Sequence, residues 1–196
     1  MTTTTDTREL ILEAAMQRVM HYGYAKTTMS EIAKDCGMSA GNIYRFFASK
    51  IDIAEAMAEK YHAVTLAGYE EIAARDTSAA MRFMAFWHHC LTSTFQQLDK
   101  DEKILEVAER LSQERPAHAN EQLAMNRVPL VKILNDGVEL GEFAPMDDPE
   151  FTAEMIQAAM MKFAYPQLFS RLTLDQLERE FNGVMPIIMA GLKSGY

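Results

Sequence analysis

Apolar residues along the chain recur at the three- and four-residue spacing of helices, and no run alternates over more than four or five positions. No Asn-Gly or Asp-Gly pair sits between strand-like runs, and Asp136-Gly137 lies inside a helix-like stretch. The first segment follows Asp6, carries Leu10, Ile11, Ala14, Ala15 and Val19, and stops at Gly23. Thr28-Met-Ser-Glu31 is a capping box, in which the Thr hydroxyl and the Glu carboxylate each satisfy an orphan N–H. Ser39 opens a short segment to Phe47, and Ser49-Lys-Ile-Asp52 opens a long one through about Ala74. Further segments run from Asp76-Thr77-Ser78 to Leu98, on to Ser112, and from Pro116 to Gly141 with a kink expected at Pro129. Asp148-Pro149 starts an eighth segment, with Pro at the first helical position. Thr173-Leu-Asp-Gln176 caps a ninth, ending near Lys193. The pattern predicts an all-α protein of nine helices.

Residues 27–47 read as helix, tight turn, helix. The first helix, Thr28 to Asp35, buries Ile32 and Ala33. Cys36-Gly37-Met38 turns, and Gly37 is the residue type that tolerates positive φ. Ser39 caps the second helix, with Ile43 and Phe47 on its inner face. Ala40, Asn42, Tyr44, Arg45 and Phe46 face the other way. Two short helices joined by a Gly turn predict a helix-turn-helix whose second helix enters the major groove of double-stranded DNA.

Charge sharpens this reading. The chain has 196 residues and a formal net charge of −9, which argues against a general nucleic-acid coat. Residues 26–50 nevertheless hold four basic groups (Lys26, Lys34, Arg45, Lys50) and only two acidic ones (Glu31, Asp35). The longest stretch free of formal charge, between Arg82 and Asp99, has 16 residues and contains His, Gln, Ser and Thr. A membrane span needs about 20 apolar residues, so none is expected. The start, MTTTTDTREL, lacks the basic and apolar regions of an export signal, and two cysteines build no disulfide framework. A cytoplasmic protein is expected.

Gly23, Thr28-Met29, Ile32-Ala33, Gly37-Met38-Ser39, Gly41, Ile43-Tyr44, Phe47 and Ser49-Lys50 together resemble the TetR family of bacterial transcription regulators. Leu140-Gly141-Glu142-Phe143 also looks like the family. Cys36, where Ala is usual, and Ile51, where an acidic residue is common, depart from it. The resemblance implies a DNA-binding domain over residues 1–47 and an effector-binding and dimerisation domain over 48–196. It implies a repressor released by a small molecule, without a cofactor and not an enzyme. Thr27 and Thr28 would hold a phosphate through hydroxyl and backbone N–H groups, and Tyr44 and Lys50 would grip others. Ser39, Ala40, Gly41, Asn42 and Arg45 would face base edges. Arg reads guanine and Asn reads adenine. A dimer implies a near-palindromic operator. The alternative is a small helical ligand-binding protein or enzyme with a vestigial helix-turn-helix.

Other motifs carry less. Gly37-Met-Ser39-Ala-Gly41 matches a hydrolase nucleophile elbow, but that motif needs a strand before it. Glu59-x-x-His62 matches half of a di-iron site, without its second copy. His88-His89-Cys90 cannot converge on one ion, because adjacent helical residues point about 100° apart. No metal is expected. Met84, Trp87, His88, Leu91, Met160 and Phe163 form a Met–aromatic set that fits either plain core or an apolar effector pocket, with His88 or His89 as its polar handle. Leu174, Leu177, Phe181, Val184 and Ile188 follow a 3-4-3-4 spacing, and Phe151, Met155 and Ala158 form a second stripe. Both are expected in a four-helix homodimer interface, although the same spacing fits an internal seam.

Overall fold

The computed structural model describes residues 4–100, 102–165 and 172–195, with ten helices and no strand among them. They are α1 (Thr4–Tyr22), α2 (Met29–Asp35), α3 (Ala40–Ile43), α4 (Lys50–Ala73), α5 (Ala79–Lys100), α6 (Glu102–Glu114), α7 (Pro116–Glu139), α8 (Pro149–Ala159), α9 (Met161–Ala164) and α10 (Leu174–Ser194). None is long and apolar enough to cross a membrane.

Three boundaries differ from expectation. α1 begins at Thr4, two residues before the anticipated cap. The expected helix from Ser39 to Phe47 is regular only over Ala40–Ile43, and Ser39 makes no side-chain cap. Its continuation is tightly wound: Arg45 N donates to Asn42 O at 3.1 Å and Phe46 N to Ile43 O at 3.0 Å. The expected eighth helix divides at Met160 (φ −94°, ψ 4°). No Gly or Pro marks that break. Met160, Phe163 and Ala164 all go into the core, so the apolar pattern runs straight across it. α7 continues through Pro129.

The chain forms two compact units, residues 1–64 with 101–121, and residues 65–100 with 122–196. The expected division between residues 47 and 48 falls inside the first unit. Ile51, Ile53, Ala54 and Met57 of α4 share one core with Ile11, Val19, Ile32 and Ile43, and α6 adds Val107 and Leu111 to it. Burial of these side chains, each contributing roughly 1.5–3 kcal/mol for a large aliphatic, ties the start of α4 to the helix-turn-helix.

The second unit packs Phe83, Trp87 and Leu91 with Leu130, Ile133, Leu134, Met160, Phe163, Leu177 and Phe181. After α7 the chain folds back. Gly141 adopts φ +71°, and Gly137 O accepts hydrogen bonds from Glu142 N at 2.8 Å and Phe143 N at 3.0 Å. A Cβ on Gly137 would lie 2.1 Å from Phe143 Cδ2, so only glycine admits the ring. The Glu142 carboxylate accepts from Ala79 N at 2.9 Å and Ala80 N at 3.0 Å, capping α5 from afar.

Candidate nucleic-acid interface

α2 starts as its sequence dictates. Thr28 Oγ1 accepts from Glu31 N at 3.3 Å and donates to Glu31 Oε2 at 2.7 Å, while Thr28 N donates to Glu31 Oε2 at 3.0 Å. The Thr28 hydroxyl holds Glu31 below the usual carboxylate range. Arg18 of α1 then neutralises both acids of this segment. Its Nε and Nη2 donate to Asp35 at 2.7 and 3.1 Å, and Nη1 lies 3.3 Å from Glu31. The hydrogen bonds from Arg18 hold Asp35 below its ordinary value. Lys26, Lys34 and Arg45 are exposed, so they set the sign of this face.

Gly37 turns the chain at φ +66°. α3 then buries Ile43, and Phe47 follows it into the core. Ser39, Ala40, Gly41, Tyr44 and Arg45 are exposed, and Asn42 is half-buried. A Cβ on Gly41 would meet nothing within 4 Å. Phe46 is half-buried against the core. One short stripe therefore presents small groups, an amide, a phenol and a guanidinium to solvent.

Three residues are placed differently from their expected roles: Thr28 donates both its N–H and its hydroxyl proton to Glu31 Oε2, and Thr27 and Lys50 are turned inward. Thr27 is fully buried; its hydroxyl donates to Gly23 O at 2.9 Å and its N–H to Tyr24 O at 3.1 Å. It locks the turn between α1 and α2 and has neither group free for a phosphate. Lys50 is half-buried, its Nζ donating to Tyr24 O at 2.9 Å and lying 4.2 Å over the Tyr24 ring. Sequence reasoning also missed the grip of α6. Lys103 Nζ donates to Met20 O at 2.6 Å and His21 O at 2.8 Å, at the C-terminus of α1. Glu106 accepts from Tyr24 N and Ala25 N, both at 2.9 Å. The available signal was that Lys103 and Glu106 lie on the same helical stripe as Val107 and Leu111, an apolar seam that charges enter only with partners.

The expected effector set separates. Trp87, Leu91, Met160 and Phe163 are buried together, whereas Met84 is 47% exposed. His88 is also exposed, with Nε2 3.7 Å from Glu178. His89 is the inward one, edge-on to the Tyr69 ring at 5.8 Å, and burial lowers its pKa. Trp87 Nε1 is buried without a hydrogen-bond partner among the described residues. A cavity of about 260 Å³ lies at the α7–α8 connection, lined by Ala144–Asp148, Phe151, Thr152 and the end of α10.

Two residues of the expected dimer stripe on α10, Leu177 and Phe181, are internal to the single chain. Leu177 and Phe181 belong to the core of the second unit, and Leu174, Val184 and Ile188 pack against it. Phe181 meets Phe163 edge to face at 5.7 Å. The internal seam is what the 3-4-3-4 spacing encodes. Solvent instead meets Gly183, Pro186, Ile187 and Ala190, with Ile187 73% exposed. On α8, Phe151, Met155 and Ala158 are exposed as one stripe.

Comparisons with known proteins agree with this architecture. The family model described as bacterial regulatory proteins, tetR family, matches residues 11–57, and that described as tetracyclin repressor-like, C-terminal domain, matches residues 79–185. The transcriptional repressor KstR2 of Mycobacterium tuberculosis is 28% identical over 193 residues, covering 93% of this chain and 90% of that protein. GusR of Salmonella enterica superposes with a TM-score of 0.69 at 20% identity, covering 97% of each chain. FadR of Bacillus subtilis, in complex with stearoyl-CoA, does so with a TM-score of 0.62 at 21% identity, covering 96% of this chain and 98% of that one. The second family model alone spans more than half of the sequence, and the chain belongs to the TetR family of DNA-binding bacterial transcription regulators.

Proposed function

We propose that this regulator is a homodimeric repressor that reads a near-palindromic operator and is released by a largely apolar small molecule. The solvent stripe of α3 carries the reading. Ile43 and Phe47 anchor it while Ala40, Gly41, Asn42, Tyr44 and Arg45 face outward or partly outward. Arg45 and Asn42 supply base-edge hydrogen bonds, and the small residues admit the helix to the groove. Tyr44 and Lys50 supply phosphate contacts, which position the protein without specifying sequence.

For the effector, Trp87, Leu91, Met160 and Phe163 supply an apolar lining, and Trp87 Nε1, buried without a partner among the described residues, supplies the polar handle expected of His88 or His89. An effector with an acceptor oxygen would satisfy that N–H. The stearoyl-CoA in the Bacillus subtilis FadR complex contains such a part, an apolar chain ending in a thioester carbonyl, joined to a charged nucleotide. For assembly, the α8 stripe of Phe151, Met155 and Ala158 and the α10 face of Gly183, Pro186, Ile187 and Ala190 supply an apolar surface for a second copy.

The test is titration of the chain on DNA from upstream of its own gene and on a scrambled duplex. The expected result is a tighter complex with the upstream DNA. Arg45→Ala should cost about 1–3 kcal/mol per half-site on that DNA alone. Equal weakening on both duplexes would make Arg45 a phosphate contact, and equal wild-type affinity for both would reject operator recognition.

A further inference from the structure

The peptide group between Tyr24 and Ala25 is held at both ends by ionised side chains. Its carbonyl, Tyr24 O, accepts from Lys50 Nζ at 2.9 Å. Its N–H, on Ala25, donates to Glu106 Oε1 at 2.9 Å, and Glu106 Oε2 accepts from Tyr24 N at 2.9 Å. The carboxylate approaches this closely because residue 23 is glycine: a Cβ there, at φ +89°, would lie 3.0 Å from Glu106 Oε2.

Hydrogen bonds to ionised groups are roughly twice as strong as neutral ones, and bonds in a chain polarise one another. A carboxylate on the N–H side therefore makes Tyr24 O a better acceptor for the ammonium on the other side. The Tyr24 ring, 4.2 Å from Nζ, adds a second attraction in the same direction. An ammonium has three donors. Tyr24 O takes one, and the half-buried Lys50 keeps others at the margin of the helix-turn-helix.

We propose that Glu106 is a positioning residue for the DNA-phosphate contact of Lys50, acting through the 24–25 peptide. The inference rests on the phosphate role proposed for Lys50 above. The electrostatic surroundings agree with it. Burial pulls the Lys50 ammonium below its ordinary pKa, and the negative charge of Glu106 opposes that shift.

The sign of one substitution separates positioning from plain charge. Glu106 is an anion within the DNA-binding unit, so by charge alone its removal tightens DNA binding. By positioning, its removal weakens it. The experiment measures affinity for a random-sequence duplex at several salt concentrations, for wild type, Glu106→Gln, Lys50→Ala and the double variant. Circular dichroism melting checks that each is folded; if Glu106→Gln is not, Glu106→Asp replaces it, which keeps the charge and shortens the reach, so that charge alone leaves binding unchanged and positioning weakens it.

Lys50→Ala should lower affinity and reduce the slope of log affinity against log salt by about 1 per chain. Glu106→Gln should weaken binding about 3- to 10-fold, the worth of one ordinary hydrogen bond, and also reduce the slope. In the Lys50→Ala background it should weaken binding no further. Tighter binding by Glu106→Gln, or equal weakening in both backgrounds, would overturn the inference while leaving the role of Lys50 intact. An unchanged affinity and slope for Lys50→Ala would remove the phosphate contact and the inference with it.

Discussion

A methyl group at position 137 would favour the helix by about 1 kcal/mol, yet it would be driven into Phe143. That ring is buried against Phe83 at 6.3 Å, so it cannot retreat freely, and overpacking of this kind costs roughly 1–3 kcal/mol. Gly137→Ala should therefore lower the urea midpoint, and a midpoint above wild type would show that Phe143 has a second seat. Titratable side chains add a pH dependence. Burial lowers the pKa of His89, so its neutral form is favoured in the folded state, and stability falls as pH drops below about 6.5, the value in the unfolded chain. Burial pushes Asp136 upward, but hydrogen bonds from Lys132 and Arg82 outweigh it and hold its pKa down. Its contribution is complete above about pH 4 and is lost as pH falls further. Urea midpoints across pH 3–8 should fall in two stages on acidification. His89→Gln should remove the upper stage, and its persistence would assign that stage to another histidine. At this scale the sequence was readable where partners are three or four residues apart, as at Thr28 and Glu31. It was silent where they are distant: nothing near Gly137 or Gly23 announces Phe143 or Glu106.

Helices were legible in type, and several in their starts, because capping boxes at Thr28 and Thr173 and Pro149 after Asp148 mark them; the break at Met160, which makes ten described helices of the nine expected, carries no such mark. Their faces were harder. The 3-4-3-4 spacing of Leu177, Phe181, Val184 and Ile188 says that one side of α10 is buried, but not whether the partner is the same chain. The structure assigns that side to the unit's own core. The extent of α3 was also misjudged, since a turn of i→i+3 bonds shares the apolar spacing of a helix. Gly41 offers a test on that element. Its missing Cβ meets open space, so Gly41→Ala should leave the melting temperature unchanged or raise it, worth up to about 1 kcal/mol. Any loss of DNA affinity in this variant is then a contact made with DNA. Unchanged affinity on the upstream duplex would place Gly41 outside the groove.

For the whole molecule, two substitutions on α10 should part company. Phe181→Glu buries a charge in the second unit and should unfold it, because an unpaired buried carboxylate has no partner to offset its desolvation. Ile187→Glu sits on the exposed face and should leave helicity and melting intact while light scattering reports a monomer. A dimer that survives Ile187→Glu would move the interface elsewhere. The first unit carries a different consequence, for biosynthesis and for engineering. Its core is completed by Val107 and Leu111, and its α1–α2 turn by Lys103 and Glu106, all encoded after the first 36 residues of the second unit. A ribosome therefore cannot release a finished DNA reader before it has begun the sensor. An amino-terminal fragment cut anywhere before residue 102 lacks those side chains, so grafting this reader onto another sensor requires carrying α6 along with it.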